Sequence, residues 1–390
     1  MIDLNNVNLE PEQLFISNYL TVQHDDINKI FVQGVAGSGK TTIALKTIEK
    51  MIGNFETYGK EIPSIVFITF NEKLVSYCKE ALMKNSLTGK YLNQSSEIQP
   101  NSINVKRLID LIIDTNSNDF LDDDKALGVI TKIRKKFITL PYTPSQIFRA
   151  VTYLKDMSPR EIEEVKQNLP RDEAEILENV KQYFYNKYLN YLKRNKLKDR
   201  ADVINSMLNI FNSITIYRDL LNGNHYTKKQ IKISTNKRLG DQDKLLNNFF
   251  IWVDNYLKFL EEKNSNDGIS QLRSELTKKS LKNWGLVCKK IKSGLQEHGF
   301  RGNEVVEKIT KPLIDPIFIV DEIQDYTRNE IKLLLQLWYS LPRKSYKNKI
   351  LFLGDLNQMI TPTGFSWEFL YDELKNYLLH STTLFTLSNG

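Results

Sequence analysis

The sequence contains little cysteine, histidine, glycine or proline for a chain of 390 residues. Its two cysteines, Cys78 and Cys288, are too few for a disulfide framework or a cysteine-based zinc site. A reducing compartment is therefore expected, with the cytoplasm as the default. The four histidines lack metal-ligand spacing, which argues against a transition-metal site. The 17 glycines and 11 prolines exclude collagen-like and low-complexity chains.

Long apolar runs are absent as well. No stretch of about 18 apolar residues occurs, and the first residues lack a basic segment followed by an apolar one. We therefore expect neither export nor a membrane partner. The hydrophobic content of 41% is that of a globular protein, and the length suggests two to three domains at roughly 150 residues each. With 54 basic against 47 acidic residues, the formal net charge of +7 suggests an anionic partner.

Short apolar runs without alternation predict parallel strands that are buried on both faces. Helical patterns follow the first three runs directly, as in a doubly wound α/β core. The predicted strands are residues 29–33, 64–69, 316–321 and 349–354, and the predicted helices are residues 41–51, 73–83 and 328–341.

Residues 115–310 have a different texture, rich in lysine, asparagine, leucine and tyrosine at helical spacing. We interpret them as an α-helical insertion between the second and third predicted strands. Within it, the spacing predicts helices at 161–169, 173–194 and 245–262, and a loop at 222–242.

A glycine-rich stretch follows the first predicted strand. Residues 34–41 read GVAGSGKT and fit the pattern G-x-x-x-x-G-K-[ST], between a strand and a helix as a phosphate-binding loop requires. In such a loop, backbone N–H groups point at phosphate oxygens, the lysine reaches the β- and γ-phosphates, and the threonine hydroxyl binds Mg²⁺. A chance glycine-rich turn is the alternative. The predicted nucleotide-binding residues here are Gly34, Ala36, Gly37, Ser38, Gly39, Lys40, Thr41 and Thr42.

Two adjacent carboxylates end the third predicted strand. Asp321 and Glu322 follow the apolar residues 317–320, where two acids are costly unless a cation or a polar ligand binds. We therefore predict that Asp321 is the Mg²⁺ partner of Thr41, directly or through water, and that Glu322 polarises the attacking water. The alternative is an acidic helix cap, because aspartate at such a junction can serve as an N-cap.

Further motifs occur in a recognisable order. Residues 320–325, VDEIQD, resemble motif II of UvrD/Rep-type superfamily 1 DNA helicases. Pro11–Gln13, Thr69–Lys73 and Gly354–Gln358 resemble the Q motif, motif Ia and motif III of that family. The resemblance covers residues 9–110 and 312–389.

The resemblance implies a RecA-like ATP-binding domain formed by residues 1–114 and 311–390 and interrupted by the helical insertion at 115–310. It implies ATP and Mg²⁺ as cofactors and single-stranded or duplex-junction DNA as the partner. Gln13 would read the adenine edge, and Gln358 would sense the γ-phosphate. Phe70 and Lys73 would contact single-stranded DNA. The predicted catalytic residues are then Lys40, Glu322 and Gln358.

Some segments depart from the family pattern. After motif III the chain carries Phe365 and Trp367, which either stack on a DNA base or pack in the core. Residues 104–107 stand where the family has motif Ib, without its usual threonine and histidine. Residues 199–202, DRAD, look like a short acidic element upstream of motif II.

Residues 387–389 look like the approach to motif IV, which opens the second RecA-like domain in the family. We therefore expect a second motor domain or a partner chain to supply arginine fingers, which are worth about 10³–10⁵ in rate. Alone, the chain is expected to hydrolyse ATP poorly.

Three functions remain open from the sequence. The first is the N-terminal motor half of an ATP-dependent DNA helicase or translocase with 3′-to-5′ polarity. The second is a nucleic-acid-stimulated ATPase switch or remodelling factor that does not unwind. The third is a catalytically silent module that binds DNA or a partner chain.

Overall fold

The computed structural model describes residues 4–21, 29–35, 37–112, 119–136, 140–208, 313, 316–340, 349–355, 365, 367–377 and 382–387. The chain divides into two units, one formed by Met1–Asn205 and Ile309–Gly390 and the other by Ser206–Lys308. Of the second unit, only residues 206–208 are described. The predicted insertion groups residues 115–310, whereas this division keeps residues up to 205 with the sheet.

A six-stranded, fully parallel sheet lies at the centre of the first unit. The strands are β1 (Lys29–Gln33), β2 (Ile65–Thr69), β3 (Ile103–Arg107), β6 (Ile317–Val320), β7 (Lys349–Gly354) and β8 (Thr382–Thr386). Their spatial order is β3-β2-β6-β7-β1-β8. Two further strands, β4 (Phe120–Leu121) and β5 (Lys198–Asp199), form a separate parallel pair. The predicted α/β class with a parallel P-loop core is confirmed.

The four predicted strands are found in the sheet, and two strands are additional. Both β2 and β6 are buried along their whole length, as expected for apolar strands between helical layers. The edge strand β3, which the sequence does not predict, lies between β2 and the start of the predicted insertion at residue 115. The sequence pattern does not predict β3, because the side chains of Asn104 and Lys106 interrupt its apolar residues. Both side chains are buried under the preceding loop.

Helices connect the strands and cover the sheet. Three of them, α2, α3 and α10, follow β1, β2 and β6, as the sequence predicts. The described helices are α1 (Pro11–Thr21), α2 (Lys40–Thr57), α3 (Glu72–Lys84), α4 (Leu108–Ile112), α5 (Asp123–Lys136), α6 (Pro144–Asp156), α7 (Pro159–Asn168), α8 (Arg171–Tyr183), α9 (Tyr185–Arg194), α10 (Arg328–Ser340) and α11 (Trp367–Tyr377). Residues 200–208 are also helical.

The helices α5 to α9 enclose an apolar core of their own, built around Ile130, Ile147, Val180 and Tyr188. The predicted helix at 161–169 corresponds to α7. The single helix predicted at 173–194 is instead two helices, because the chain departs from helical geometry at Phe184, where φ is −119°. The predicted helix at 245–262 and the predicted loop at 222–242 lie outside the described residues. Within the described ranges, no helix is long and apolar enough to cross a membrane.

Candidate active site

The loop between β1 and α2 curls around a small space. Gly37 and Gly39 have φ angles of 77° and 82°, in the left-handed region that side chains rarely adopt. These two angles turn the chain so that α2 begins at Lys40, with Gly39 as its N-cap residue. A helix N-terminus with unpaired N–H groups and a positive dipole end favours an anion at this position.

Two polar side chains lie inside this loop. The Lys40 ammonium is buried and donates to the carbonyl oxygens of Gly34 and Val35, at 2.7 and 3.0 Å. The Ser38 hydroxyl is buried and has no hydrogen-bond partner among the described residues. A Cβ atom at Gly34 would lie 2.5 Å from that hydroxyl oxygen and 3.0 Å from Cβ of Leu387, so a larger residue there would require these neighbours to shift. Thr42 is partly buried in the first turn of α2.

The loop and the acidic strand end meet directly. The Thr41 hydroxyl donates to Oδ2 of Asp321, at 2.6 Å, although the two residues are 280 positions apart. The contact forms because β6 and the β1–α2 loop end at the same edge of the parallel sheet, where ligand sites of such sheets lie. Two oxygen donors predicted for Mg²⁺ are thereby brought together.

Glu322 has an unusual backbone. Its φ and ψ angles are 53° and 47°, in the left-handed region, which is uncommon for a residue other than glycine. Its amide donates to Oδ1 of Asp321, at 3.0 Å, and its carboxylate accepts from Nε2 of Gln324, at 2.5 Å. Gln324 in turn accepts from the amide of Asp355, at 3.0 Å, at the end of β7. The two carboxylates are therefore held in a defined arrangement at three neighbouring strand ends.

Burial and, to a smaller extent, the nearby Glu322 carboxylate raise the pKa of Asp321 to about 7. The hydrogen bonds from Thr41 and from the Glu322 amide, together with the Lys40 charge, oppose the rise. A buried carboxylate beside another acid is a position where a cation would stabilise the ionised form.

Gln13, on α1, lies against the same loop. Its side-chain amide donates to the carbonyl oxygen of Ser38, at 2.9 Å, and accepts from the amide of Glu10, at 3.1 Å. A Cβ atom at Gly39 would lie 2.8 Å from its Nε2 atom. The predicted adenine reader is thus adjacent to the phosphate loop and bonded to it.

These residues fit a nucleotide with a hard cation. The buried Lys40 ammonium and the buried Ser38 hydroxyl, which no described residue hydrogen-bonds, are suited to phosphate oxygens. Among the described residues, no three histidine, cysteine, aspartate or glutamate side chains converge as a metal cage. Mg²⁺ does not need one, because it is commonly held by one or two protein oxygens together with phosphate oxygens and water.

Comparison with known proteins agrees with this geometry. A family model described as an AAA domain matches residues 23–363, which is most of the chain. The chain belongs to this family. It is a P-loop NTPase family that is found in UvrD/Rep-like helicases, and such NTPases generally use ATP with Mg²⁺. A search of curated proteins finds no match.

In this AAA-domain chain, the two residues predicted to contact DNA through motif Ia lie at the end of β2. Phe70 is half-buried, and its ring meets that of Tyr326 edge-on, with centroids 5.6 Å apart. Lys73 is exposed in the first turn of α3, whose N-cap residue Asn71 accepts from the amide of Leu74, at 2.8 Å. Lys73 is therefore placed where it is accessible from solvent.

Phe365 and Trp367 require a correction. They are only 7% and 8% exposed, and they pack edge-on against each other. Trp367 also meets Phe31 of β1, with centroids 5.6 Å apart. The prediction that they stack on a DNA base is therefore replaced by the core alternative, because almost none of their surface is open.

The segment at the position of motif Ib is also internal. Asn104 bonds to Asn93 and Gln99, and the buried Lys106 ammonium donates to the carbonyl oxygens of Ser95 and Ser96. These contacts fasten the loop before β3 instead of leaving the side chains open to a ligand. Ala36 and Gln358, which the sequence also predicts as site residues, lie outside the described residues.

The short acidic element at 199–202 holds a buried lysine. Asp199 and Asp202 each lie 2.8 Å from the Lys155 ammonium, and the Tyr188 hydroxyl donates to Asp199, at 2.9 Å. Arg200 follows Asp199 in the sequence. Its guanidinium carbon lies over the Phe70 ring, 4.5 Å from the ring centroid. Sequence reasoning missed Arg200, because nothing local signals a contact with a residue 130 positions away.

A cavity of about 240 Å³ lies beside Phe70 and Arg200. Its wall includes Phe148, Arg149 and Tyr153 of α6, together with Thr327 before α10. Because close-packed interiors leave few voids larger than a water molecule, this cavity gives the neighbouring side chains room to move.

Proposed function

We propose that this chain is the ATP-binding motor part of an ATP-dependent DNA helicase or translocase of the UvrD/Rep type, with 3′-to-5′ polarity and a cytoplasmic location. The observation that carries the proposal is the 2.6 Å hydrogen bond between Thr41 of the phosphate loop and Asp321 at the end of β6. It supports a site in which a cation and a triphosphate are bound beside Glu322. The membership of the P-loop NTPase family supports the same reaction class.

In this proposal, each site residue has one task. Lys40 and the loop amides bind phosphate oxygens, and Thr41 and Asp321 hold Mg²⁺. Glu322, oriented by its bond from Gln324, accepts the proton of the attacking water. Bound Mg·ATP supplies the transferable phosphoryl group. A second motor domain or a partner chain contributes arginine fingers that stabilise the developing charge.

The nucleic-acid contacts belong to the proposal as well. Phe70 offers an aromatic ring to a base, and the exposed Lys73 offers a cation to a phosphate, at the strand end next to Asp321. The net charge of +7 agrees with a polyanionic partner.

Steady-state ATP turnover by the full-length protein, with and without single-stranded DNA, tests the proposal. We expect DNA to stimulate turnover, and Lys40→Ala and Glu322→Gln each to lower it by about 10²-fold or more. Glu175→Gln, an exposed residue of α8, is the matched control and should leave turnover unchanged. Undiminished turnover in Lys40→Ala would refute the assignment.

A nucleic-acid-stimulated switch without unwinding is a second candidate. It is favoured by the separate unit Ser206–Lys308, which interrupts the motor sequence. A strand-displacement assay on the full-length protein separates the two, because a switch turns over ATP without displacing a strand. DNA-stimulated ATP turnover, with or without strand displacement, would exclude the third hypothesis, a catalytically silent binding module.

A further inference from the structure

The Phe70 ring is held from two directions by side chains that are distant in sequence. The guanidinium carbon of Arg200 lies over one face, 4.5 Å from the ring centroid. Tyr326 meets the ring edge-on, at 5.6 Å and an interplanar angle of 84°. A planar guanidinium can stack on an aromatic face in a way that an ammonium cannot. The orientation of Phe70 is therefore set by these two neighbours.

Arg200 is itself fixed to the start of α10. Its Nε donates to Glu330, at 2.5 Å, and its Nη1 to Asp123, at 3.5 Å. The second carboxylate oxygen of Glu330 accepts from the amide of Thr327, at 2.9 Å, and the Thr327 hydroxyl accepts from the amide of Glu330, at 3.3 Å. This reciprocal pair is a capping box at the first turn of the helix. Any shift of that turn therefore moves Arg200.

Tyr326 is joined to the acidic strand end by one short turn. The amide of Asp325 donates to the carbonyl oxygen of Glu322, at 2.9 Å, and the amide of Tyr326 to that of Ile323, at 3.2 Å. Tyr326 lies within residues 322–330, and Arg200 is hydrogen-bonded to Glu330 of the same segment. This segment directly follows the site where the γ-phosphate would be bound. The cavity next to Phe70 and Arg200 leaves space for the ring to move when this segment moves.

We propose that Arg200 is a positioning residue that couples nucleotide binding beside Glu322 to the presentation of Phe70 to single-stranded DNA. The inference rests on the proposed function and extends it. Movement of residues 322–330 would displace Arg200 and Tyr326 together and would reorient the Phe70 ring. Because coupling between two ligands is reciprocal, DNA bound at Phe70 changes nucleotide affinity by the same factor.

The test measures the coupling ratio in the full chain, which is the DNA dissociation constant without nucleotide divided by that with nucleotide. Binding of a fluorescent oligothymidylate is followed by anisotropy, with and without Mg²⁺ and a non-hydrolysable ATP analogue, and nucleotide binding is measured separately. For the wild-type chain we expect the nucleotide to change the DNA dissociation constant at least about fivefold. In Arg200→Lys the ratio should fall to within about twofold of one, with nucleotide affinity in the absence of DNA unchanged.

Arg149→Lys is the matched control, because Arg149 lines the same cavity but its guanidinium pairs with Glu173 of α8. It should keep the wild-type ratio. Tyr326→Leu removes the edge contact without changing a charge, so it should also lower the ratio, and it decides the question if Arg200→Lys does not fold. A merely structural role for Arg200 would lower both affinities and leave their ratio intact.

Three results would overturn the inference while leaving the proposed function intact. The first is a wild-type chain that binds both ligands with a coupling ratio of one. The second is a wild-type coupling ratio in Arg200→Lys, and the third is a loss of coupling in Arg149→Lys as large as that in Arg200→Lys. Failure of the wild-type chain to bind nucleotide or DNA at all would instead overturn the proposed function, and the inference with it.

Discussion

At the scale of single residues, Glu322 shows how the site departs from the lowest-energy local structure. Its left-handed backbone costs on the order of 1–3 kcal/mol for a residue with a side chain. Its carboxylate also lies beside the buried Asp321 and raises the pKa of that group. Both features oppose folding, so the position of Glu322 is explained by chemistry and not by stability.

Glu322→Gly is therefore expected to stabilise the fold and to abolish turnover. Glycine adopts φ of 53° without strain and removes the carboxylate beside Asp321. We expect these two gains to outweigh the lost hydrogen bond from Gln324, so the free energy of unfolding should rise by about 1 kcal/mol. Urea unfolding and ATP turnover of the same preparation provide the two measurements. A loss of stability would show that the carboxylate is mainly structural.

Lys196→Gly is the control for this change. Lys196 also has a positive φ, 54°, but it follows α9 and is exposed. The free energy of unfolding of the Lys196→Gly variant should rise by a similar amount, and its ATP turnover should be unchanged.

The residues of the phosphate loop and the acidic strand end were predictable because their chemistry is local. Lys40 and Thr41 follow a spacing that is typical of phosphate-binding loops, and Asp321 and Glu322 follow an apolar strand. Arg200 was not predictable, since its contacts with Phe70 and Glu330 are made across the fold. Trp367 was ambiguous, because an aromatic residue after a strand is compatible with either burial or stacking.

At the scale of elements, four strands of the sheet could be predicted from continuous apolar runs. The edge strand β3 could not, because its alternate side chains Asn104 and Lys106 are polar and become buried only when residues 93–102 fold over them. The order of parallel strands depends on long crossovers, which a local pattern does not encode. The break between α8 and α9 at Phe184 could not be predicted either, because no proline or glycine marks it.

The junction between α6 and α10 joins the helical region to the element that follows the acidic strand end. Asp156, the last residue of α6, accepts from the Thr327 hydroxyl, at 2.9 Å, and from the amide of Asn329, at 3.3 Å. Burial raises the pKa of Asp156 to about 7, aided by the Glu330 charge and opposed by these hydrogen bonds and by Lys332. The Asp156 carboxylate therefore bonds to the start of α10, but its ionisation in the buried position costs solvation free energy.

This cost predicts a pH dependence of stability. A carboxyl whose pKa is raised by folding binds more protons in the folded state, so its contribution is present at low pH and declines as the pH rises toward about 7. Between pH 5 and pH 7, Asp156 should lower the free energy of unfolding by about 2 kcal/mol. Urea unfolding of the wild type and of Asp156→Asn in Mg²⁺-free buffer measures this decline as a difference.

Comparison of the two proteins isolates Asp156, because Asp321, whose pKa is also raised to about 7, contributes equally to both. Equal pH slopes in the wild type and in Asp156→Asn would contradict the prediction.

At the scale of the whole molecule, the described structure is a nucleotide-binding core to which part of the helical region is firmly attached. Arg200 and Asp156 each bind the start of α10 from outside the sheet. The acidic strand end, the proposed DNA contact at Phe70 and the contacts of Arg200 and Asp156 therefore all lie close to the turn that precedes α10. A P-loop site, a parallel sheet and a basic net charge agree with a motor acting on a polyanion, and the coupling proposed for Arg200 uses the same turn.

The space bounded by Lys40, Thr41 and Asp321 is proposed to bind Mg·ATP. Equilibrium titration of the chain with ATP, in the presence and absence of Mg²⁺, measures this binding. We predict saturable binding that weakens without Mg²⁺ and that falls about tenfold or more in Lys40→Ala, because a charge-assisted phosphate contact is lost. The exposed Lys60→Ala variant should bind as the wild type does. Absence of binding, or equal affinity in the wild type and Lys40→Ala, would contradict the account.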